Sequence, residues 1–220
     1  MKNEREEITA VLDKIQTWKD YHNKLILELM QPSEGLYMSD LFAITVLNRS
    51  LSLMRGFRSL VEERNYTCAA PIVRLQLDNA LRFFALGLVP DHHDFVINVI
   101  KGVPVRKQKD RNGKPMTDNY LVGQVASVHP HMAWVKELYE KTSGYIHFSE
   151  RHFLDTFDGK PPIPGEQVIG FRTLIGEGDA FIQDRDYIAL AQDFEKSTDL
   201  VLALITLLAE NKKQFSQTRN

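Results

Sequence analysis

Ser143, His147 and Arg151 recur every fourth residue in SGYIHFSERHF, the stretch from Ser143 to Phe153. Continued as a helix, that spacing lines the three side chains on one face together with Glu140. A hydroxyl and a guanidinium flanking an imidazole can hydrogen-bond it or shift its pKa, which tunes histidine for proton transfer or anion binding near neutrality. His147 is therefore the leading candidate for chemistry, with a solvated polar face as the plain alternative. His152 falls on the other, apolar face beside Val135, Leu138, Tyr139, Thr142 and Ile146, where it reads as a packing residue. Gly144 costs such a helix about 1 kcal/mol relative to alanine, which suggests a close backbone approach at that point.

A second constellation lies on a different segment. Arg74, Asp78 and Arg82 follow one another at i, i+4 spacing in a run that is otherwise strongly apolar. Exposed, each pair contributes only about 0.3–0.5 kcal/mol; buried, each arginine needs a carboxylate or another polar partner. Turned toward His147, the ladder would complete an Arg–Asp–His site built from two helices; the alternative is a structural polar plug. Arg106, Lys107, Lys109 and Arg111, followed by Lys114, crowd one loop with enough positive charge to meet the phosphates of a nucleic acid. That loop has no interleaved aromatic residue for base stacking, so a solvated loop is the default reading.

No metal site and no cofactor are expected. His92 and His93 are adjacent, His129 and His131 flank Pro130, and neither pair has the spacing that puts two ligands on one helical face. The chain has no Walker lysine loop, no dinucleotide glycine fingerprint and no GxSxG elbow, which removes the commonest nucleotide-cofactor and hydrolase readings.

The elements that must position these residues are helices. Ile8, Val11, Leu12, Ile15, Trp18, Leu25, Ile26 and Leu29 recur at helical spacing from Glu4 to Gln31, before QPSEG stops the run. Ser39 or Asp40 can cap a second helix, ending near ERNY and packed antiparallel to the first. Thr67 can cap a third, with Pro71 early in it, apolar over so much of its circumference that it belongs at the centre. Pro90 and Asp91 open a short fourth helix through Ile100. Thr117 or Asp118 starts a fifth through about Ser127, Pro130 a sixth that carries His147 and runs through Phe153, and Asp186 a last one to about Lys213. Two departures are expected: an irregular basic loop near 102–117, and a short strand or hairpin near 167–183.

The fold class is thus all-α, an antiparallel helical bundle in a single domain over residues 1–220. With 43% apolar and 25% charged residues, 220 residues suffice for one good core. A net charge of −2 exerts no global pull on polyanions, so any such contact must be local. Cys68 is the lone cysteine, which excludes an internal disulfide and fits a reducing compartment. The N-terminal stretch is charged, and Leu200–Ala209, the longest apolar run, is about half the ~20 residues that cross a bilayer, so a cytoplasmic protein without a membrane partner is expected.

Three stretches together carry a resemblance: AAPIVRLQLDNALRFFAL (Ala69–Leu86), NGKPMTDNYLV (Asn112–Val122) and YEKTSGYIHFSERHF (Tyr139–Phe153). Their order resembles that of a group of bacterial helical proteins related more distantly to the HEPN-type bundles of toxin–antitoxin and phage-defence systems. The likeness covers roughly residues 47–208. The group's pattern, an arginine with an acidic residue one turn later and a serine and histidine in a later helix, matches Arg74, Asp78, Ser143 and His147. The resemblance implies a helical bundle and raises metal-independent RNA cleavage, with His147 as acid or base and Arg74 on the phosphate. HEPN ribonucleases carry an arginine followed after about four to six residues by a histidine on one helix, and no histidine of this chain stands at that spacing from an arginine, so Arg74 would have to supply that charge from elsewhere. Three functions follow as expectations. The first is a bundle that acts by binding and self-association, in a defence or stress context. The second is a ribonuclease-like phosphodiesterase acting on RNA or a nucleotide. The third is a small-molecule sensor with an inter-helical anion pocket clamped by Arg74.

Overall fold

The computed structural model describes residues 2–31, 35–128, 130–150, 152, 156–157, 172, 179 and 181–217. Among these residues the chain forms seven α-helices: α1 (Lys2–Leu29), α2 (Met38–Glu62), α3 (Tyr66–Leu86), α4 (His92–Ile100), α5 (Asp118–Val128), α6 (Trp134–Ile146) and α7 (Asp184–Gln217). The all-α bundle expected from the periodicity is what forms. The strand or hairpin expected near 167–183 falls for the most part on residues outside those described.

Each helix forms where its apolar stripe and its caps agree. On α1 the stripe is Leu12, Ile15, Leu25 and Leu29, each at most 3% exposed. Neither Ser39 nor Asp40 caps α2. Tyr37 occupies the N-cap, and Asp40, one turn in, accepts its backbone N–H at 2.8 Å. At α3 the cap is Asn65, whose Oδ1 accepts from the Cys68 N–H at 3.1 Å, while Thr67 turns to Asp179 with its hydroxyl and its N–H. Asp91 caps α4 by accepting the Asp94 N–H.

The reversal between α2 and α3 takes only Glu63, Arg64 and Asn65. Arg64 adopts φ 60°, so that the Asn65 N–H can reach back to the Leu60 carbonyl at 2.8 Å. Tyr187 on α7 donates its hydroxyl to the Arg64 carbonyl at 2.7 Å, and burial with the nearby Asp179 charge pushes that phenol up to about 12. The Arg64 guanidinium lies over the same ring and pairs with Asp184, fastening this corner to the start of α7.

α3 sits at the centre, with Val73, Leu77, Ala80 and Leu81 wholly buried. It packs on α2, α7, α5 and α6, and α4 crosses α2. Contacts at Asp13–Arg58 and His22–Ser50 set α1 antiparallel to α2, and those at Ser50–Gln76 and Arg49–Asn79 set α2 antiparallel to α3. α7 runs parallel to both α1 and α3, as the pairs Lys14–Glu195, Tyr21–Thr206 and Glu28–Lys213 show for α1, and Tyr66–Tyr187 and Gln76–Thr198 for α3. Phe57 of α2 stacks on Phe194 of α7 at 4.3 Å between ring centroids.

One expected helix is shorter than its periodicity suggested. Pro130 opens a separate 3-10 turn, Pro130–Met132, and α6 starts only at Trp134. It stops at Ile146, because His147 is extended at φ −111° and ψ 144°. Ser149 explains the stop: its hydroxyl takes the otherwise free Gly144 carbonyl at 2.8 Å, and its own N–H donates to His152 Nδ1 at 3.1 Å, the reciprocal geometry that starts a new helical turn.

The α1–α2 corner is locked from α7. Lys212 donates to the Leu29 carbonyl at 3.0 Å and pairs with Asp40 at 2.8 Å, their side chains 8% and 1% exposed. Lys212→Met strands a buried carboxylate, and the expected loss is about 3–5 kcal/mol, measured from the denaturant midpoint. The double variant Asp40→Asn/Lys212→Met, which removes both charges, should recover most of it.

Candidate functional site

The ladder on α3 does not close on itself. Asp78 turns to Arg82, at 2.9 Å, and to Arg49 of α2, at 3.5 Å. Arg74 leans the other way, across to α5 and α6. Its guanidinium carbon lies 3.5 Å above the centre of the Tyr139 ring, and its Nη2 is 3.7 Å from Asp118 Oδ2. Arg82 Nη2 meets the other oxygen of Asp118 at 2.5 Å, so two arginines two turns apart on α3 straddle one carboxylate. Asp118 is presented by the first residue of α5, where the helix dipole favours a negative charge.

The seam thus holds three guanidinium groups, Arg49, Arg74 and Arg82, against two carboxylates, Asp78 and Asp118. Arg74 is only 11% exposed at its side chain and Arg82 22%. Burial works against the charge of Arg82, but Asp78 and Asp118 together outweigh it and hold that guanidinium above its ordinary pKa. Among the described residues, Arg74 Nη1 and Arg82 Nη1 are buried and make no hydrogen bond. Such donors are uncommon in native proteins and costly to leave unmet.

The other sequence candidates are placed as follows. Ser143 donates its hydroxyl to the Tyr139 carbonyl at 2.7 Å, a bond within its own helix. His147 is exposed at the C-cap of α6. α6 runs antiparallel to α3, with the Tyr66 and Tyr145 hydroxyls 3.0 Å apart and Arg74 over Tyr139. At 1.5 Å per residue, His147 therefore lies about 12 Å along the seam from the level of Arg74. Arg74 and Asp78 share one cluster, and His147 and Ser143 do not join it. Arg151 lies outside the described residues.

The basic loop is pinned rather than free. Lys109 bridges Pro115, and Asp110, 6% exposed, accepts the N–H groups of Asn112 and Lys114 and the Tyr120 hydroxyl at 2.6 Å. The Tyr120 hydroxyl, chiefly, and those two amides lower the Asp110 pKa. Arg111 donates to the carbonyls of Gly87 and Leu88 at the end of α3, so its charge is spent on a helix terminus. Arg106, Lys107 and Lys109 remain exposed. Elsewhere, a cleft of about 380 Å³ runs between α1 and the end of α2, lined by Ile8, Leu12 and Val61 with Arg58 and Arg64. Both arginines are already paired, Arg58 with Glu62 and Asp13 and Arg64 with Asp184. No cluster of histidine, cysteine and carboxylate side chains suited to a metal occurs among the described residues, and no described helix is long and apolar enough to cross a membrane.

Sequence reasoning missed a buried polar chain behind the seam. His22, Ser50, Gln76 and Thr198 are wholly buried, and Asn79 is 2% exposed. One signal was available: His22 sits midway between Ile15 and Leu29 at seven-residue steps, the position of an apolar residue in the α1 stripe. Comparison of the chain with known protein families, curated proteins and solved structures finds no match.

A double-mutant cycle separates the seam from its neighbours. Arg82→Gln and Asp118→Asn should be non-additive in stability by about 0.5–3 kcal/mol. Ser143→Ala, losing only a bond within its own helix, should stay within about 0.5 kcal/mol of wild type in the same denaturation assay.

Proposed function

We propose that the chain is a binding protein whose α3–α5–α6 seam takes a small oxyanion, a carboxylate or phosphate group carried by a small molecule. The observation that carries the reading is the pair of buried guanidinium nitrogens left without an acceptor. Asp118 fills one side of a double arginine fork, through both Nη2 atoms, and each Nη1 stays unfilled. A second oxyanion has the shape and charge to complete it, and guanidinium forks bind such groups through paired hydrogen bonds. The cluster's formal excess of one positive charge favours an anionic guest over a neutral one. Tyr139 holds Arg74 flat and so limits the ordering cost of binding.

Binding rather than catalysis is favoured because the seam contains arginine, aspartate and tyrosine but no imidazole. The ribonuclease alternative needs His147 and Arg74 on one phosphate, across a register offset of about 12 Å. Self-association belongs to the same reading: Leu27, Met30, Leu36, Tyr37 and Leu41, each at least 40% exposed, cluster at the α1–α2 end and suit a second copy of the chain. A cytoplasmic setting in defence or stress accords with the resemblance and is part of the proposal.

Inorganic phosphate and citrate, titrated at constant ionic strength, should raise the melting temperature of the wild type. Saturation to 100 times Kd corresponds to about 2.7 kcal/mol. Arg74→Met should lose the shift, and a wild type indifferent to both anions would sink the reading. Cleavage of a mixed RNA panel should be absent from the wild type; activity that His147→Ala abolishes would restore the enzyme alternative. Light scattering at micromolar concentration should give more than the monomer mass, and Leu27→Glu should lower it.

A further inference from the structure

The buried chain behind the seam has a direction. Arg49 can only donate, and its Nη1 donates to Asn79 Oδ1 at 2.5 Å. Asn79 Nδ2 then donates to Gln76 Oε1 at 3.1 Å, and Gln76 Nε2 to Ser50 Oγ at 2.6 Å and Thr198 Oγ1 at 3.0 Å. At the far end the Trp18 carbonyl can only accept, and His22 Nδ1 lies 2.7 Å from it, so Nδ1 carries the proton. In a neutral imidazole Nε2 is then an acceptor, and the Ser50 hydroxyl, 2.9 Å away, donates to it. A cation at one end and a carbonyl at the other thus make all five bonds point the same way, from Arg49 on α2 to the backbone of α1. Bonds aligned head to tail polarise and strengthen one another.

A second proton on His22 meets the positive end of that chain. Nε2–H and the Ser50 hydroxyl proton would face each other. Rotating the hydroxyl away costs it its acceptor in a pocket where His22, Ser50 and Gln76 are wholly buried. Among the described residues, no carboxylate acts on the ring to compensate. On α1, Lys19 and Asp20 face solvent. From α2 and α3 the first charges along the chain are Arg49 and, through it, Asp78. On α7, Thr198 faces the chain, while Glu195 and Asp199 act on Lys14, about two turns before His22.

We infer that His22 is an acid-sensitive latch that holds the middle of α1 against α2 and α3 only while its imidazole is neutral. Burial lowers the pKa of this ring, against a partial opposing effect of the Trp18 carbonyl, in keeping with the geometry. The sign follows from linkage: released α1 carries an ordinary histidine, near 6.5, and the latched form binds the proton more weakly. Above about pH 6.5 the latch has its full strength. As the pH falls below that value, release becomes about tenfold more favourable per pH unit, down to the lowered pKa of the latched ring. Asp199, raised by burial and by Glu195, acts in the opposite direction, so a variant must isolate the histidine.

Hydrogen exchange on the full chain between pH 7.5 and 5, corrected for intrinsic rates, tests the latch. Amides around Trp18–Leu29 should open about tenfold more per pH unit below 6.5, while those of Val73–Leu81 on α3 stay protected. His22→Gln should flatten the α1 response. Should that variant fail to fold, ring nitrogen shifts of the wild type decide: the latch requires the Nδ1–H form at neutral pH and titration below the ordinary histidine value. A ring titrating at or above 6.5, α1 protection indifferent to pH, or α1 and α3 opening together would each overturn the proposal.

Discussion

A helix packed against four others leaves little water for its polar side chains: on α3, Gln76 and Asn79 are buried, and Arg74, Asp78 and Arg82 are at most 24% exposed. Everything distinctive in the structure follows from where those groups find partners. A buried polar atom without one costs more than a typical hydrogen bond returns. The neighbours of α3 are therefore constrained chemically as well as sterically: α2 must supply Ser50 and Arg49, α5 must supply Asp118, and α7 must supply Thr198.

The two sides of α3 solve the problem differently. Toward α1, α2 and α7 the solution is neutral and closed: amides, hydroxyls and one imidazole, each donor matched to an acceptor. Toward α5 and α6 it is ionic and incomplete, since three guanidinium groups face two carboxylates and two donor nitrogens are left over. Arg49 joins the halves, touching Asp78 on the ionic side and Asn79 on the neutral one. A closed network makes a unique core, whereas an incomplete one keeps donors without an acceptor.

α7 holds the arrangement at both ends. Near its start Tyr187 and Asp184 fix Arg64 at the α2–α3 reversal, and near its end Lys212 spans the last turn of α1 and the first turn of α2. α7 packs on both α1 and α3 between those two anchors. Gln76 meets Thr198 between them.

The sequence by itself determined the helices and their class. Apolar residues at helical spacing, the Asp91 cap and the greasy run around Leu77 are local patterns, and local patterns act through a few neighbouring residues. It also disclosed that Arg74, Asp78 and Arg82 share a face. What it did not determine was their partners. Ladder spacing predicts that Asp78 serves both arginines, yet Arg74 is drawn to Asp118 and Tyr139, some forty and more positions away. Only helix packing brings such residues within reach. The same holds for His147: the period that carries a helix through it is real, but Ser149, by taking the Gly144 carbonyl, competes with helix continuation and wins. His22 was visible as an oddity in an apolar stripe, while its tautomer and its role came from Ser50 and Trp18. Periodicity reports which way a side chain faces; the tertiary fold decides what it finds there, because hydrogen bonds and ion pairs act over a few ångströms of space whatever the distance along the chain.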